Sequence, residues 1–352
     1  MQVPDTVSSA DAVLLMPVGN LQKDVAMNAD ELFEAGMRAI EQGNQSEAQQ
    51  MFAQVLETDP THTQALYLQG CILSEAGQYA EAIPVYEECL RHSGEEAGHP
   101  LFNLGYACQA VGDVRNALLA FQRAVQADPT MTDAWINIGR LLDDMGNHET
   151  AVECYDTALS IQPQDAMALA NRGNSLKSLE RYPEALTSYE KALEEDPEDI
   201  AARTGRAVCL FHTGDPATGL RLLDEVIAAA GHVVAKFEKS VLLVLSEQYV
   251  EALTLLEEIL EDGFADREIH NNRGECLVKL NRTEEALAAF EESLAVDAAF
   301  TGALFGKARL LVNLDRVEDA RSVTEKLISV ADEQEKQEDH IRALASICGI
   351  QL

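Results

Sequence analysis

Residues 166–199 read AMALANRGNSLKSLERYPEALTSYEKALEEDPED, and this stretch decides the fold. Apolar or small residues recur every three or four positions on both sides of Glu180–Arg181, which is the spacing of two amphipathic helices. Pro183 suits the first turn of the second helix, where a backbone N–H has no helical partner. Pro197 ends that helix after an acidic run. Neither helix can bury its apolar face alone, so the pair needs similar pairs on both sides.

The chain supplies such pairs with a period of 34 residues from Ala29 onward. A small residue marks the middle of each first helix, at Gly36, Gly70, Gly105, Gly139, Gly173, Ala207, Ser240, Gly274 and Ala308. A second small residue marks the start of each second helix, at Ala48, Ala82, Ala117, Ala151, Ala185, Gly219, Ala252, Ala286 and Ala320. An aromatic residue follows four positions later in six pairs, as Phe52, Tyr86, Phe121, Tyr155, Tyr189 and Phe290. The small residues allow helix axes to approach to roughly 8–10 Å, and the aromatic ring fills the space between layers.

This pattern resembles the tetratricopeptide-repeat family, whose motif is a large residue, Leu-Gly, a later Ala, an aromatic, an Ala and a Pro. The fourth pair carries it as Trp135, Ile138–Gly139, Ala151, Tyr155, Ala158 and Pro163. The resemblance implies an all-α fold, an α-solenoid in which about nine helix-turn-helix units form a right-handed superhelix. First helices would line a concave groove and second helices would lie outside. The predicted repeats, numbered 1 to 9, are 29–62, 63–96, 98–131, 132–165, 166–199, 200–232, 233–266, 267–300 and 301–334.

Segments outside the repeats have separate interpretations. Residues 1–28 predict a loosely ordered extension or a segment that docks on the array or on a partner. Residues 335–352 predict a charged connector and a capping helix, which would cover the end of the core with Ile341, Leu344, Ala345 and Cys348. The spacing lengthens to 35 between repeats 2 and 3 and shortens to 33 between repeats 6 and 7, near 228–234. Each irregular joint indicates either a hinge or simple sequence drift.

Composition and charge limit the kinds of partner and the cellular location that we expect for this chain. Sixty acidic residues against 26 Lys and Arg leave a formal charge of −34, which repels nucleic acid and anionic membranes and favours basic partners. The same charge is also explained as a solvated outer face. Seven cysteines without C-x-x-C spacing indicate reduced packing residues. No segment reaches the ~18 apolar residues of a membrane span and the N-terminus has no basic leader region, so the expected location is cytoplasmic.

Catalytic signatures are missing from the sequence. It contains no phosphate-binding G-x-x-x-x-G-K-[ST] loop, no G-x-S-x-G elbow, no Rossmann glycine set and no EF-hand loop. The carboxylate pair Asp143–Asp144 is interpreted as a solvated helix end. We therefore expect a protein that is not an enzyme and that needs neither a cofactor nor a metal.

Asparagines occupy one repeated position, two residues before the first small landmark. They are Asn103, Asn137 and Asn171 in repeats 3 to 5, and Asn272 beside Asn271 in repeat 8. The family resemblance implies that this position faces the groove, where a carboxamide can pair with a peptide C=O and N–H. The arrangement resembles the asparagine ladder of O-linked N-acetylglucosamine transferases, which holds peptide backbone. The alternative is that these amides bond to neighbouring backbone inside the groove.

Helical offsets from the ladder assign further side chains to the groove. They are His99, Phe102 and Tyr106 in repeat 3, Ile136, Arg140 and Asp143 in repeat 4, and Met167, Asn174 and Lys177 in repeat 5. A clamp for chaperone C-terminal carboxylates is disfavoured because the positions that would carry its Lys and Arg hold Phe102, Asp133, Ile136 and Gly205.

These observations predict a non-enzymatic adaptor that binds an extended segment of a partner protein, mainly along repeats 3 to 5. One alternative is a self-associating structural scaffold. Another is an accessory subunit that recruits substrates to a separate enzyme.

Overall fold

A computed structural model describes residues 27–93, 97–332, 336 and 338–351. The predicted extension at residues 1–28 lies almost entirely outside these ranges. The described residues form α-helices and no β-strand. They divide into two compact blocks, one ending at Asp128 and the other beginning at Pro129. Each block is described by itself below.

The first block contains three helix pairs: α1 (Ala29–Glu41), α2 (Gln45–Thr58), α3 (Thr63–Glu75), α4 (Tyr79–Ser93), α5 (Gly98–Ala110) and α6 (Val114–Ala127). The second block begins with α7 (Thr132–Asp144), α8 (His148–Ile161), α9 (Ala166–Ser178), α10 (Tyr182–Glu195), α11 (Ile200–His212) and α12 (Pro216–Ala230). It continues with α13 (Val233–Leu245), α14 (Tyr249–Glu261), α15 (Arg267–Lys279), α16 (Thr283–Val296), α17 (Thr301–Asn313), α18 (Val317–Val330) and α19 (Asp339–Ile347). Odd-numbered helices up to α17 are the first helices of the predicted repeats, and each packs against the second helix that follows it.

The turn inside each repeat contains a residue with positive φ, seven positions after the small landmark. Glycine supplies it in five repeats, at Gly43, Gly77, Gly112, Gly146 and Gly214. Larger residues adopt the same left-handed conformation in the other four, at Glu180, Glu247, Asn281 and Asp315, with φ between 58° and 61°. The predicted break at Glu180–Arg181 is confirmed, because α9 ends at Ser178 and α10 begins at Tyr182 with Pro183 in its first turn.

Each glycine landmark lies directly under the aromatic ring of its own repeat. A Cβ at Gly36, Gly70, Gly105, Gly139, Gly173 or Gly274 would lie 2.5–2.7 Å from the ring of the residue sixteen positions later. Those rings are fully buried: Phe52, Tyr86, Phe121, Tyr155, Tyr189 and Phe290. The expectation that small residues allow close approach while the aromatic ring fills the space is therefore confirmed.

The core forms successive clusters along each block. One cluster joins Leu32, Phe52 and Ile72 in the first block, and the largest extends from Leu243 to Cys348 in the second. Ile341, Leu344 and Cys348 belong to this last cluster, so α19 closes the C-terminal end of the core as predicted. At the short joint before α13, Gly231 adopts φ 58° and ends α12, which stops the helix where other repeats have a proline.

Candidate functional site

The first helices of repeats 4 and 5, α7 and α9, form a polar pocket of about 240 Å³. It is lined by Arg140, Asp143, Asp144, His148, Tyr155, Asn171, Asn174, Ser175 and Ser178. Four of these residues were assigned to the groove from sequence: Arg140, Asp143, Asn171 and Asn174. The other five were not, and they are Asp144 at the end of α7, His148 and Tyr155 of α8, and Ser175 and Ser178 of α9. The pocket combines donors and acceptors on a surface that lies within the second block, which suits a ligand with both kinds of group.

Asp143 is the structural centre of the pocket. Its Oδ2 accepts hydrogen bonds from the Tyr155 hydroxyl at 3.0 Å and from the Ser175 hydroxyl at 2.7 Å, and its Oδ1 lies 2.9 Å from His148 Nδ1. These contacts connect α7 with α8 and α9. Burial, together with the Asp143 charge, raises the pKa of Tyr155 above its ordinary value, so the phenol stays protonated and donates. The interpretation of Asp143 as part of a solvated pair is wrong, because three neighbouring polar groups hold it.

A second buried phenol, that of Tyr189, orients the Asn174 side chain. The Tyr189 hydroxyl donates to Asn174 Oδ1 at 2.7 Å, and burial raises the pKa of Tyr189. With the amide oxygen engaged, the Asn174 Nδ2 group remains as a donor towards the pocket. Tyr155 and Tyr189 therefore have the same role in successive repeats: each fills the space between the helices and fixes one polar side chain at the pocket.

The predicted ladder asparagines differ from one another in their bonding. Asn137 Nδ2 donates to the backbone carbonyl of Asp133 at 2.8 Å, and Arg140 Nη1 lies 3.4 Å from Asn137 Oδ1. Asn137 thus follows the alternative interpretation, in which the amide bonds to neighbouring backbone. The Asn171 carboxamide makes no hydrogen bond within the described part of the chain and lies in the pocket wall. Asn171 is consequently the ladder residue in this block with its full bonding capacity available.

The ladder position changes character after α9. Repeat 6 has Gly205 there, and a Cβ at this residue would collide with the ring of Tyr189. Repeat 7 has Glu238, which accepts a hydrogen bond from Lys177 Nζ of α9 at 2.6 Å. This ion pair is about three-quarters buried on both sides and joins the first helices of repeats 5 and 7. Lys177 is therefore engaged by the protein itself, and neither member of the ion pair lines the polar pocket.

The first block contains the aromatic part of the predicted groove. Asn103 Nδ2 donates to the Tyr67 hydroxyl at 3.3 Å and lies 3.4 Å from Cys71 Sγ. Burial and the neighbouring Cys71 raise the pKa of Tyr67 to about 12. The Phe102 ring packs against Phe121, with ring centres 5.5 Å apart. Asn103 and Phe102 thus have partners inside the block.

Two further predicted groove residues in this block are exposed. His99 lies on the surface at the start of α5. Tyr106 is 49% exposed and packs edge-on against Tyr79 at 6.0 Å. These two side chains are exposed, and their assignment to the groove stays a prediction.

Repeat 8 contains the remaining predicted asparagines. Asn271 Nδ2 lies 3.5 Å from Asn272 Oδ1, and Asn271 Oδ1 is buried without a hydrogen-bond partner among the described residues. Both belong to α15 and neither lines the polar pocket of α7 and α9. The sequence alone could not separate them from Asn171, because all occupy or adjoin the same repeat position.

The assignment of Ile136 to the groove is wrong. This side chain is 3% exposed and belongs to a core cluster with Tyr155 and Ala168. It packs between α7 and the neighbouring repeat, where a branched apolar side chain fits. Conversely, Ser175 and Ser178 of the pocket were not predicted; their three-residue spacing on α9, beside Asn171 and Asn174, is the signal that could have identified them.

Metal ligands are not grouped in this part of the molecule. Among the described residues, no three His, Cys, Asp or Glu side chains form a group that could hold a metal ion. None of the described helices has the length and apolar character needed to cross a bilayer.

Comparison with sequence-family models identifies the repeats independently. Models described as tetratricopeptide repeat match residues 33–97, 99–131, 132–165, 166–199, 200–225, 242–300 and 277–335. These matches together cover most of the chain. No curated protein matches the sequence.

Solved structures show the same fold at low sequence identity. A tetratricopeptide repeat protein from Parabacteroides merdae is 18% identical, with a TM-score of 0.59 over 73% of this chain and 100% of that chain. Yeast Tom70 is 13% identical, with a TM-score of 0.57 over 92% of this chain and 89% of its own. A chain of the APC/C hetero-tetramer Cut9-Hcn1 is 17% identical, with a TM-score of 0.57 over 84% of this chain and 57% of its own. At identities this low, the structural similarity shows the fold alone, which is an α-solenoid.

Proposed function

The chain belongs to the tetratricopeptide-repeat family, and on that premise we propose that it is a non-enzymatic adaptor that binds an extended segment of a partner protein. The proposed contact surface is the polar pocket of α7 and α9 in the second block. Within the first block, the exposed His99 and Tyr106 of α5 are proposed separately as contacts. The observation that carries this proposal is the available bonding capacity of Asn171 and Asn174 in one pocket.

The pocket chemistry suits peptide backbone. Asn171 offers two donors and an acceptor, the Asn174 Nδ2 group offers donors, and Ser178 offers a hydroxyl. A backbone C=O and N–H in an extended segment require such a mixture, and they present it at intervals of ~3.3 Å along the chain. Each bond would contribute ~0.5–1.5 kcal/mol net. Recognition of this kind has little dependence on the side chains of the ligand.

Charge favours a basic partner segment. Asp144 lies at the pocket, and the chain as a whole has a formal charge of −34. Arg140 also lines the pocket and offsets one of the two carboxylates there, Asp143 and Asp144. A segment with Lys or Arg beside the backbone contacts would therefore gain both steering and local attraction.

Affinity capture from the source organism, followed by calorimetry with the recovered partner, tests the proposal. The informative variant is Asn171→Ala, because the wild-type side chain has no internal hydrogen bond to lose. We expect it to weaken binding by roughly 2- to 13-fold, the equivalent of one hydrogen bond. Asn272→Ala is the matched control, since it changes the same repeat position outside the pocket. Equal affinity of the wild type and Asn171→Ala would reject the pocket as the binding site.

A further inference from the structure

A second cleft lies at the joint between repeats 7 and 8. It has a volume of about 480 Å³ and lies between the start of α13, the 262–266 loop and the start of α15. Its apolar walls are formed by Val233, Val234, Phe237, Phe264 and Ile269. It shares no lining residue with the polar pocket of α7 and α9.

Phe264 has no counterpart in the regular repeats. It occupies the position at which repeats 1, 3, 4 and 5 have the closing prolines Pro60, Pro129, Pro163 and Pro197. Gly263 adopts φ 89° and carries the chain out of α14, which leaves the Phe264 ring 52% exposed in the loop. Val234, on the facing helix, is 53% exposed. Two large apolar side chains that line one cleft thus remain half exposed to water.

The rim of the cleft is acidic. Asp266 and Glu268 line it, and Asp262 lies in the same loop. The nearby cations are already paired. Lys236 donates to Asp262 at 2.8 Å and is mostly buried, and Arg267 donates to Asp297 at 2.5 Å while its guanidinium lies 4.9 Å from the Phe300 ring centre. Asp266 also caps α15 by accepting a hydrogen bond from the Glu268 N–H, whereas the Glu268 carboxylate has no cationic partner among the described residues. An occupant of the cleft therefore meets apolar walls and an acidic rim.

We propose that this cleft docks a partner segment that has an aromatic or large aliphatic anchor flanked by Lys or Arg. The anchor would pack between Val234 and Phe264, and the flanking cations would contact Asp266 and Glu268. Charge argues against two other occupants. A second copy of this chain carries −34, and residues 1–28 contain Asp5, Asp11 and Asp24 against Lys23. The site adds a specific anchor position to the backbone contacts of the polar pocket and does not depend on them.

Fluorescence anisotropy on the full-length chain tests the proposal with a short labelled peptide that has one central Phe between lysines. Two comparison peptides replace the Phe by Ala, or the lysines by Glu. We expect saturable binding of the first peptide and weakening of roughly tenfold or more for both comparison peptides, since aromatic anchors dominate such contacts. No saturable binding below about 1 mM, or equal binding of the Ala peptide, would overturn the proposal.

Variants assign the binding to the cleft. Phe264→Ser should weaken binding of the Phe peptide by roughly tenfold, and Glu268→Lys should weaken it while making it less dependent on salt. Val250→Ser is the matched control, because Val250 is 62% exposed in the same repeat but outside the cleft. Asn171→Ala should also have no effect, which separates this result from that of the polar pocket. Binding that survives Phe264→Ser, or a dimer in light scattering that this substitution dissociates, would refute the assigned occupant.

Discussion

A Cβ placed on Gly139 would lie 2.7 Å from the ring of Tyr155, so the ring occupies the space that any larger residue at position 139 would need. In every repeat, the size of the landmark residue is matched by the size of the residue sixteen positions later. Six repeats pair a glycine with an aromatic residue sixteen positions later. The other three pair a larger landmark with a smaller partner: Ala207 with Leu223, Ser240 with Leu256, and Ala308 with Thr324. Helix contact in each repeat therefore depends on the combined size of two residues.

We expect Gly139→Ala to lower the free energy of unfolding. The clash with Tyr155 costs about 1–3 kcal/mol, and the higher helix propensity of Ala offsets about 1 kcal/mol of it. Tyr155→Leu should also destabilise, because it loses buried volume and a hydrogen bond to Asp143. In the double variant the clash is relieved, so the combined loss should be smaller than the sum. Urea unfolding followed by circular dichroism measures all four proteins; strictly additive losses would contradict the packing argument.

Glu180→Gly should stabilise the protein. Glu180 has φ 58°, and a non-glycine residue in this conformation costs about 1–2 kcal/mol. Glycine removes that cost and adds about 0.5–1 kcal/mol of unfolded-state entropy, so the net gain should be several tenths of a kcal/mol or more. Thermal and urea unfolding measure the gain. Glu180→Ala is the control, since it removes the same side chain without relieving the backbone, and an equal gain from Ala would contradict the explanation.

The turn at residue 180 also shows which structural features could be predicted from the sequence. Its position followed from the 34-residue period and from Pro183, because both are local features. The left-handed conformation of Glu180 and Glu247 did not, because glutamate does not favour it; the array imposes it at every turn. Ile136 was misassigned because its helical position does not show how neighbouring repeats pack. Its helical offset indicated the groove, but packing against the next repeat decided its environment.

Contacts between side chains that are far apart in the sequence could not be predicted either. Lys177 and Glu238 are 61 positions apart, and neither stands out in the repeat pattern. Asn103, Asn137 and Asn171 share one repeat position, yet their hydrogen bonds differ. Asn103 donates to Tyr67 of α3, Asn137 donates to the backbone of its own helix, and the Asn171 carboxamide bonds to no described residue. The sequence therefore identified the shared repeat position of these asparagines but not which of their side chains are free to form further hydrogen bonds.

Alkaline pH should destabilise the fold through its buried thiols. Burial raises the pKa of Cys209 from 9.0 to about 12, so this thiol stays neutral in the folded state while it ionises in the unfolded chain. Its contribution is complete below pH 9 and is lost as the pH rises towards 12. Between pH 9 and about 10.5, one such group removes roughly 2 kcal/mol.

Urea unfolding at several pH values measures this dependence. Cys108, Cys154 and Cys276, with pKa values raised by burial to about 11, should add to the slope. Cys209→Ala removes one titrating group, so its stability should fall less steeply above pH 9. A variant profile parallel to that of the wild type would show that this thiol does not contribute.

Lys177 and Glu238 should have a measurable coupling free energy in the stability of the fold. A double-mutant cycle with Lys177→Met and Glu238→Gln should give about 1 kcal/mol, more than an exposed pair, because both side chains are largely buried. The control cycle uses Arg181 and Glu184, which are about half exposed and three residues apart, and should give a few tenths of a kcal/mol. Equal coupling energies in the two cycles would indicate that burial adds nothing to the longer-range pair.

The glycine–aromatic pairs also bear on how such an array can change in length. Gly139 and Tyr155 belong to one repeat, so their fit is inherited intact when a whole repeat is duplicated or deleted. Gly205 is different: its absent side chain accommodates Tyr189, which belongs to the preceding repeat. Gly306 has the same relation to Phe290. Recombination should therefore be tolerated least at the boundaries before repeats 6 and 9, where each partner was selected beside a particular neighbour.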